Sequence, residues 1–345
     1  MHGGDIEELD YTSYPNVLKA KWDHIYSSDS KRILEGKEPP RVIKTLLDFS
    51  YRNVESIYIV CYSDFYSKQK AKLPRAKPVM VVSQYSPFNP LDWNFTKAPK
   101  EQIIGKFNND LLLTSASPLC RYHCIFVPSY TSELPQVITK ATDCIPVIKL
   151  LANDTRTDGK IFFSGYCAGA SVNHLHYQLV YIKQLINEEL LPIERLTDSI
   201  PLISLKPYDV PIAVYSNTSY LLPYIKIALI DSTLNDKVLL ALSEVIYATV
   251  LGIYNSGNSI NIVFTVNGKH TYVIPRKLST FSVMPDIGIG AFECCGLGIC
   301  GSAKVYNECD AKFYMDYVKE YGVDIEAFKK IEELVLVNLK GTVQV

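Results

Sequence analysis

The segment Ser171-Val172-Asn173-His174-Leu175-His176-Tyr177-Gln178 decides how this chain is read. If it is a strand, period two sends His174, His176 and Gln178 to one face and Leu175, Tyr177 and Leu179 to the other. Neighbours in the polar row then stand about 6.6 Å apart, and the apolar row suits a core. Two imidazoles and an amide in line on one strand face have few structural uses, so the row is a candidate site. Two chemistries fit it. Neutral imidazoles two residues apart can chelate a transition ion, which needs further ligands; His123 and Glu293 are available but share no metal-ligand spacing. An imidazole that is neutral near pH 7 is also a nucleophile toward phosphorus. Attack on a nucleotide α-phosphorus gives a phosphoramidate. Gln178 can donate to the oxygen where charge builds, and His174 or a backbone carbonyl can hold the second ring nitrogen of the nucleophile.

Outward from this segment the pattern is mixed. Ser56–Tyr62, Pro78–Tyr85, Asp110–Thr114, Cys124–Pro128, Lys160–Phe163 and His174–Ile182 read as strands, rich in β-branched and aromatic residues and bounded by Pro, Asn or Ser. Val42–Leu47 suggests a short helix. Pro135–Asn153 has helical spacing, with Pro146 expected to kink or break it. Ile186–Tyr208 reads as a connection. Beyond it, Val210–Ser216 and Tyr224–Asp231 are strand-like, and Leu234–Tyr254 is a helix opened by Asp231-Ser232-Thr233. Ser259–Val266 and His270–Pro275 form a hairpin turning at Asn267-Gly268. Gly288–Gly301 has no clear period and matches no phosphate-binding glycine loop, since no Gly-Lys-Ser/Thr follows. Ala311–Leu339 is an amphipathic helix. The expected organisation is a peripheral segment 1–50, a catalytic half 51–185, a connection 186–209, and a second half 210–345 ending in a helix. Each half runs strands, helix, strands, so the expected class is α+β: mixed, mostly antiparallel sheets with flanking helices.

Composition narrows the function. The 345 residues carry 35 Lys+Arg against 36 Asp+Glu, a net charge of −1, and 48% are hydrophobic. A chain this balanced is globular and a poor fit to broad nucleic-acid binding or a basic membrane anchor. The acidic start, Met1–Glu8, has no apolar run of the kind a secretory or mitochondrial leader needs. Val238–Tyr254 is apolar but short for a bilayer and contains Glu244, which suits a buried helix. Nine cysteines, none in a CxxC pair, argue for a reducing compartment, and the expected location is the cytoplasm. The sequence sets no oligomeric state.

His174-Leu175-His176-Tyr177-Gln178 resembles the HxHxQ form of the histidine-triad superfamily, near galactose-1-phosphate uridylyltransferase. More blocks agree. Asn94–Lys97, Ser117-Pro118-Leu119, His123–Pro128, Leu134-Pro135-Gln136 and Ala170–His176 stand in the order found in the GDP-D-glucose phosphorylases, to which the plant GDP-L-galactose phosphorylases are similar. Tyr272–Lys277 and Glu293–Gly296 resemble later blocks of that family. The resemblance implies a duplicated histidine-triad fold and phosphorolysis of a GDP-hexose to GDP and hexose 1-phosphate through a guanylylated histidine. Carried over, His176 is the nucleophile, His174 supports it and Gln178 contacts the phosphate. Lys97, Ser164, Gly165, Asn173, Arg276, Lys277 and His123 fall on the nucleotide and its phosphates. No metal or cofactor is implied, and the partners are a GDP-hexose and inorganic phosphate. Three positions depart from the family pattern. Ser164-Gly165 replaces Asn-Ser, Tyr122 replaces the Gly before His123, and Leu297 replaces the His of Cys-Gly-His. The rival readings are a nucleotide or nucleotide-sugar binder without turnover, and a metal-dependent protein using His174 and His176.

Overall fold

β-Branched and aromatic runs form strands that find their partners far along the chain. The computed structural model describes residues 6–28, 41–46, 57–62, 85–116, 118–197, 200–279, 288–300 and 303–342. Its strands are β1 (Arg41–Leu46), β2 (Ile57–Tyr62), β3 (Ile103–Phe107), β4 (Asp110–Thr114), β5 (Cys124–Val127), β6 (Gly159–Ser164), β7 (Tyr177–Tyr181), β8 (Ile203–Leu205), β9 (Ile212–Asn217), β10 (Tyr224–Leu229), β11 (Ser259–Thr265), β12 (His270–Arg276) and β13 (Leu297–Cys300). The α-helices are α1 (Tyr14–Ser28), α2 (Ile145–Ala152), α3 (Ile182–Ile186), α4 (Asp236–Asn255), α5 (Ala291–Cys294), α6 (Ala303–Glu308), α7 (Ala311–Tyr321) and α8 (Ile325–Thr342).

Ten strands make one antiparallel sheet in the order β3-β4-β5-β7-β6-β11-β12-β10-β9-β8. The run 3-4-5-7-6 recurs as 8-9-10-12-11, and the two runs meet at β6–β11, where Asn261 lies opposite Ser164. Each run inserts an α-helix at the same place, the eight-residue α2 between β5 and β6 and the 20-residue α4 between β10 and β11. That repeated topology is a duplication of the expected strands-helix-strands kind with other bounds: the first run opens with β3 (Ile103–Phe107), and the second with β8 (Ile203–Leu205), inside the stretch 186–209 expected as a connection. The halves differ at one connection. In the first, residues 165–176 join β6 to β7 and carry the histidines; in the second, Val266–Lys269 close the hairpin. The site is therefore built on the first half. A second, three-stranded sheet pairs β1 with β2 antiparallel and β13 with β2 parallel.

The sheet buries both faces. On one, Phe126, Tyr177, Phe163, Ile262, Val273 and Ile225 pack under α1, α2, α4 and α8. Helix α4 is capped by Asn235, whose side chain accepts the Val238 N–H at 3.0 Å. Gly252 lets it cross α8 closely: a Cβ there would lie 2.7 Å from the Val335 Cα. This helix is long and apolar enough to cross a bilayer, but 72% of that window is buried inside the fold. The other face is covered by two separate clusters. One gathers Phe95, Leu111, Leu113, Ile125 and Val127; the other joins Phe162, Val263, Tyr272 and Phe292. Gln178 stands in the row between Ile125 of the first and Phe162 of the second, half-buried at the seam.

Several expectations change. Val42–Leu47 was expected as a helix, but residues 42–46 belong to β1; its pairing with β2 satisfies a backbone that local pattern alone did not place. Leu47 and most of Pro78–Tyr85 lie outside the described residues. The expected helix over 135–153 is confined to α2. Pro146 sits in its first turn, where a missing N–H costs nothing, so it starts the helix instead of breaking it. Asp143 organises the preceding turn by accepting the Thr139 N–H at 2.9 Å and the Lys140 N–H at 3.1 Å. The tail is two helices. It breaks at Gly322, where a Cβ would lie 2.2 Å from the Leu222 side chain, and Asp324 caps α8. The stretch 288–300, without period in sequence, holds α5 and β13.

Candidate active site

The regular strand begins only at Tyr177, so His174 and His176 lie in the lead-in to β7. Both rings still meet the same aromatic residue. Phe95 stands 4.9 Å from the His176 ring and 5.8 Å from that of His174, and Phe88 meets His174 edge-on at 5.2 Å. Asn94 builds the turn that carries Phe95. Its Oδ1 accepts from the Thr96 N–H at 3.1 Å and the Thr96 hydroxyl at 2.6 Å.

Hydrogen bonds set the tautomers. His176 Nδ1 lies 2.7 Å from the His174 carbonyl, which can only accept, so Nδ1 carries the proton and Nε2 keeps its lone pair. His174 is the reverse: its Nδ1 accepts the Phe95 N–H at 3.2 Å. Burial lowers the His176 pKa to about 4 against the helping His174 carbonyl. Burial, with the neighbouring His176, lowers that of His174 to about 4 as well, the Tyr130 backbone partly opposing. Both rings are neutral at pH 7.

A residue that sequence reasoning gave no role holds this arrangement. Gln136 is buried, and its side chain fills the gap where β6 and β7 part. Its Oε1 accepts the His176 N–H at 2.7 Å, and its Nε2 donates to the carbonyls of His176 at 3.0 Å and Ser164 at 2.9 Å. Its own backbone N–H goes to Asn173 Oδ1 at 2.9 Å, while Asn173 Nδ2 reaches the Ser86 and Pro87 carbonyls. The only sequence signal for Gln136 was its place in the Leu134-Pro135-Gln136 block.

On the seam, Gln178 Oε1 lies 3.2 Å from His123 Nε2, and His123 Nδ1 accepts the Leu119 N–H at 2.9 Å. Tyr122, where the family has Gly, takes a left-handed φ of 64° at a cost of about 1 kcal/mol. Its ring is held between Trp22 at 5.4 Å and the Arg156 guanidinium at 5.5 Å. Ser164 ends β6 across from His176, its Oγ accepting the Ala291 N–H at 3.0 Å. Gly165 passes tightly under β11: a Cβ would lie 2.7 Å from Ser259 Oγ and 3.1 Å from the Ile260 carbonyl. Leu297, where the family has His, is core at the start of β13.

The candidate cations are each bonded within the fold. Lys97 Nζ donates to three carbonyls of its own loop, Pro90 at 2.7 Å, Leu91 at 3.2 Å and Asp92 at 2.6 Å. Arg276 and Lys277 belong to the end of β12, three strands from β7, or about 14 Å at the usual spacing. Arg276 is fully buried, bonded to the Tyr321 carbonyl, Asn261 and Cys294, with its Nη2 unpartnered. Lys277 Nζ reaches the Glu320 carbonyl at 3.2 Å. A surface cleft of about 580 Å³ lies at the other end of β7. Its cations Lys183 and Arg195 are paired with Glu189 and Glu188, so it is no anion site. Among the described residues, no three His, Cys, Asp or Glu side chains gather to hold a metal ion.

Residues 65–180 match the GDPGP1-like N-terminal domain. GDP-D-glucose phosphorylase 1 of Caenorhabditis elegans is 35% identical over 135 residues, 34% of this chain and 28% of that protein. The Danio rerio protein of the same name is 25% identical over 136 residues, 38% of this chain and 39% of its own. The match thus spans well under half of these relatives. In fold, the yeast Ap4A phosphorylase Apa2, solved with Ap4A, superposes with a TM-score of 0.62 at 16% identity, covering 92% of this chain and 98% of that one. Its complex with AMP gives 0.61. The matched stretch, residues 65–180, includes both histidines and Gln178, so the candidate site lies within the part of this chain that is similar to the GDPGP1-like N-terminal domain.

Proposed function

We propose that this chain is a nucleotidyltransferase that phosphorolyses a GDP-hexose of the GDP-D-glucose kind. His176 Nε2 attacks the phosphorus that bears guanosine. The bond from that phosphorus to the bridging oxygen breaks, and hexose 1-phosphate leaves with the electron pair. Its second pKa is about 6, so it departs without a general acid. Inorganic phosphate then attacks the phosphoramidate, releasing GDP and restoring the neutral ring. The Gln178 amide meets the charge that builds on the non-bridging oxygen.

The observation that carries this reading is the His176 ring. Its Nδ1 proton is held by the His174 carbonyl at 2.7 Å, and its low pKa keeps the other nitrogen a free base across the physiological range. The neighbouring His174, equally low in pKa, has the opposite tautomer, its Nδ1 taken by the Phe95 N–H, so of the two rings His176 is the one that keeps its Nε2 lone pair. The hexose and the guanine are taken from what the matching relatives are named for. The test is a panel of nucleoside diphosphate sugars incubated with phosphate, wild type beside His176→Ala. Release of hexose 1-phosphate from GDP-glucose by wild type alone supports the reading; turnover unchanged in His176→Ala overturns it. Binding without turnover by both would instead identify a nucleotide-sugar binder.

A further inference from the structure

His123 has both ring nitrogens engaged, in an order that only one tautomer allows. The Leu119 N–H is a backbone donor and cannot invert, so His123 Nδ1 accepts and Nε2 carries the proton of the neutral ring. That N–H faces Gln178 at 3.2 Å, so the amide oxygen is the atom it meets. The amide NH₂ is thereby turned away from His123. Gln178 is half-buried where the two coverings of the sheet part, and it follows His176 by two residues, the side-chain period of an extended chain. His123 is itself pinned: its N–H goes to the Cys120 carbonyl, and its carbonyl accepts from Ser115 N–H and Trp22 Nε1. The left-handed turn at Tyr122 brings Leu119 N–H back onto the ring.

We infer that His123 is a positioning residue that locks the Gln178 amide with its NH₂ toward the phosphoryl group on His176. The sequence placed His123 on the phosphate itself; here it acts one step behind. Without the lock the amide can present either end, and a carbonyl facing an oxyanion is repulsive. The inference rests on the function proposed above, because the amide needs an oxyanion to meet.

Two experiments test it. In single-turnover mixing with GDP-glucose, His123→Leu slows formation of the His176 adduct about 10- to 100-fold, with donor affinity within about twofold of wild type. His123→Gln, which keeps a donor at the Nε2 position, recovers most of the rate. In a Gln178→Ala background His123→Leu adds no further loss, because the two act as one unit. Independent losses that multiply in the double variant, or weakened donor binding instead of a slower rate, overturn the inference. The second experiment needs no turnover. In ¹⁵N-histidine-labelled wild-type protein at pH 7, the resonance that vanishes in His123→Gln shows the proton on Nε2. A proton on Nδ1, or on both nitrogens, overturns the inference. An enzyme with the expected His123 tautomer but no adduct would refute the proposed function and, with it, any positioning role in that reaction.

Discussion

Replacing Gln136 with Leu keeps the side-chain volume close and removes three hydrogen bonds, to the His176 N–H and to the carbonyls of His176 and Ser164. At about 1 kcal/mol net per bond the loss is about 3 kcal/mol. The groups left behind are buried backbone atoms where β6 and β7 have parted, so no ladder partner replaces the amide, and the loss rises toward about 5 kcal/mol. The thermal midpoint should fall by about 4–7 °C. The His176 backbone would no longer be held on both sides, and adduct formation should slow about 10- to 100-fold. Gln136→Glu should do no better, since it sets a carboxylate against two carbonyls. The assays are differential scanning fluorimetry and single-turnover mass spectrometry. A Gln136→Leu protein with an unchanged midpoint and an unchanged rate would refute the idea that this amide holds the site together.

Other outcomes follow from the same structure. The His176 pKa is lowered to about 4, so adduct formation should stay flat from pH 8 to pH 5.5 as far as this group sets it. An ordinary imidazole of pKa 6.5 would already be about 90% protonated at pH 5.5, and a tenfold fall there would show that the ring is not shielded. Stability should move the other way with acid. The unfolded chain takes up protons on His174 and His176 below about 6.5 and the folded chain only near 4, so urea midpoints should fall as pH drops through that window. The buried pair Lys160–Glu194, 3.0 Å apart, should behave asymmetrically: Glu194→Gln destabilises by about 3–5 kcal/mol, while Lys160→Met with Glu194→Leu costs far less by denaturant titration. Gly165→Ala should cost about 1–3 kcal/mol through its contacts with Ser259 and the Ile260 carbonyl, and adding Ser259→Ala should recover part of that.

Local pattern was enough where a strand carries its own signal. Runs such as Asp110–Thr114 and Cys124–Val127, and the hairpin turning near Asn267-Gly268, were legible because β-branched and aromatic residues sit between turn residues. Period two predicts one face for His174, His176 and Gln178, but the ladder itself starts only at Tyr177, and what the two histidine rings share is Phe95, 5.8 and 4.9 Å away. What depends on distant partners was not legible. The β6–β11 pairing that fuses two halves into one sheet joins segments about a hundred residues apart, and β1 is a strand only because β2 lies beside it. Gln136 reaches His176 across 40 residues, a relation no local spacing encodes. Lys97 shows the converse. A motif position does not say what a cation's own loop asks of it, and here three loop carbonyls accept hydrogen bonds from its Nζ.

The most direct measurement is the intact mass of the protein after brief mixing with GDP-glucose in the absence of phosphate. The account predicts a gain of one guanylyl group that peptide mapping places on His176, that disappears on adding phosphate, and that never forms in His176→Ala. A wild-type mass that stays unmodified while the nucleotide sugar is consumed, or an adduct that persists in His176→Ala, would contradict it.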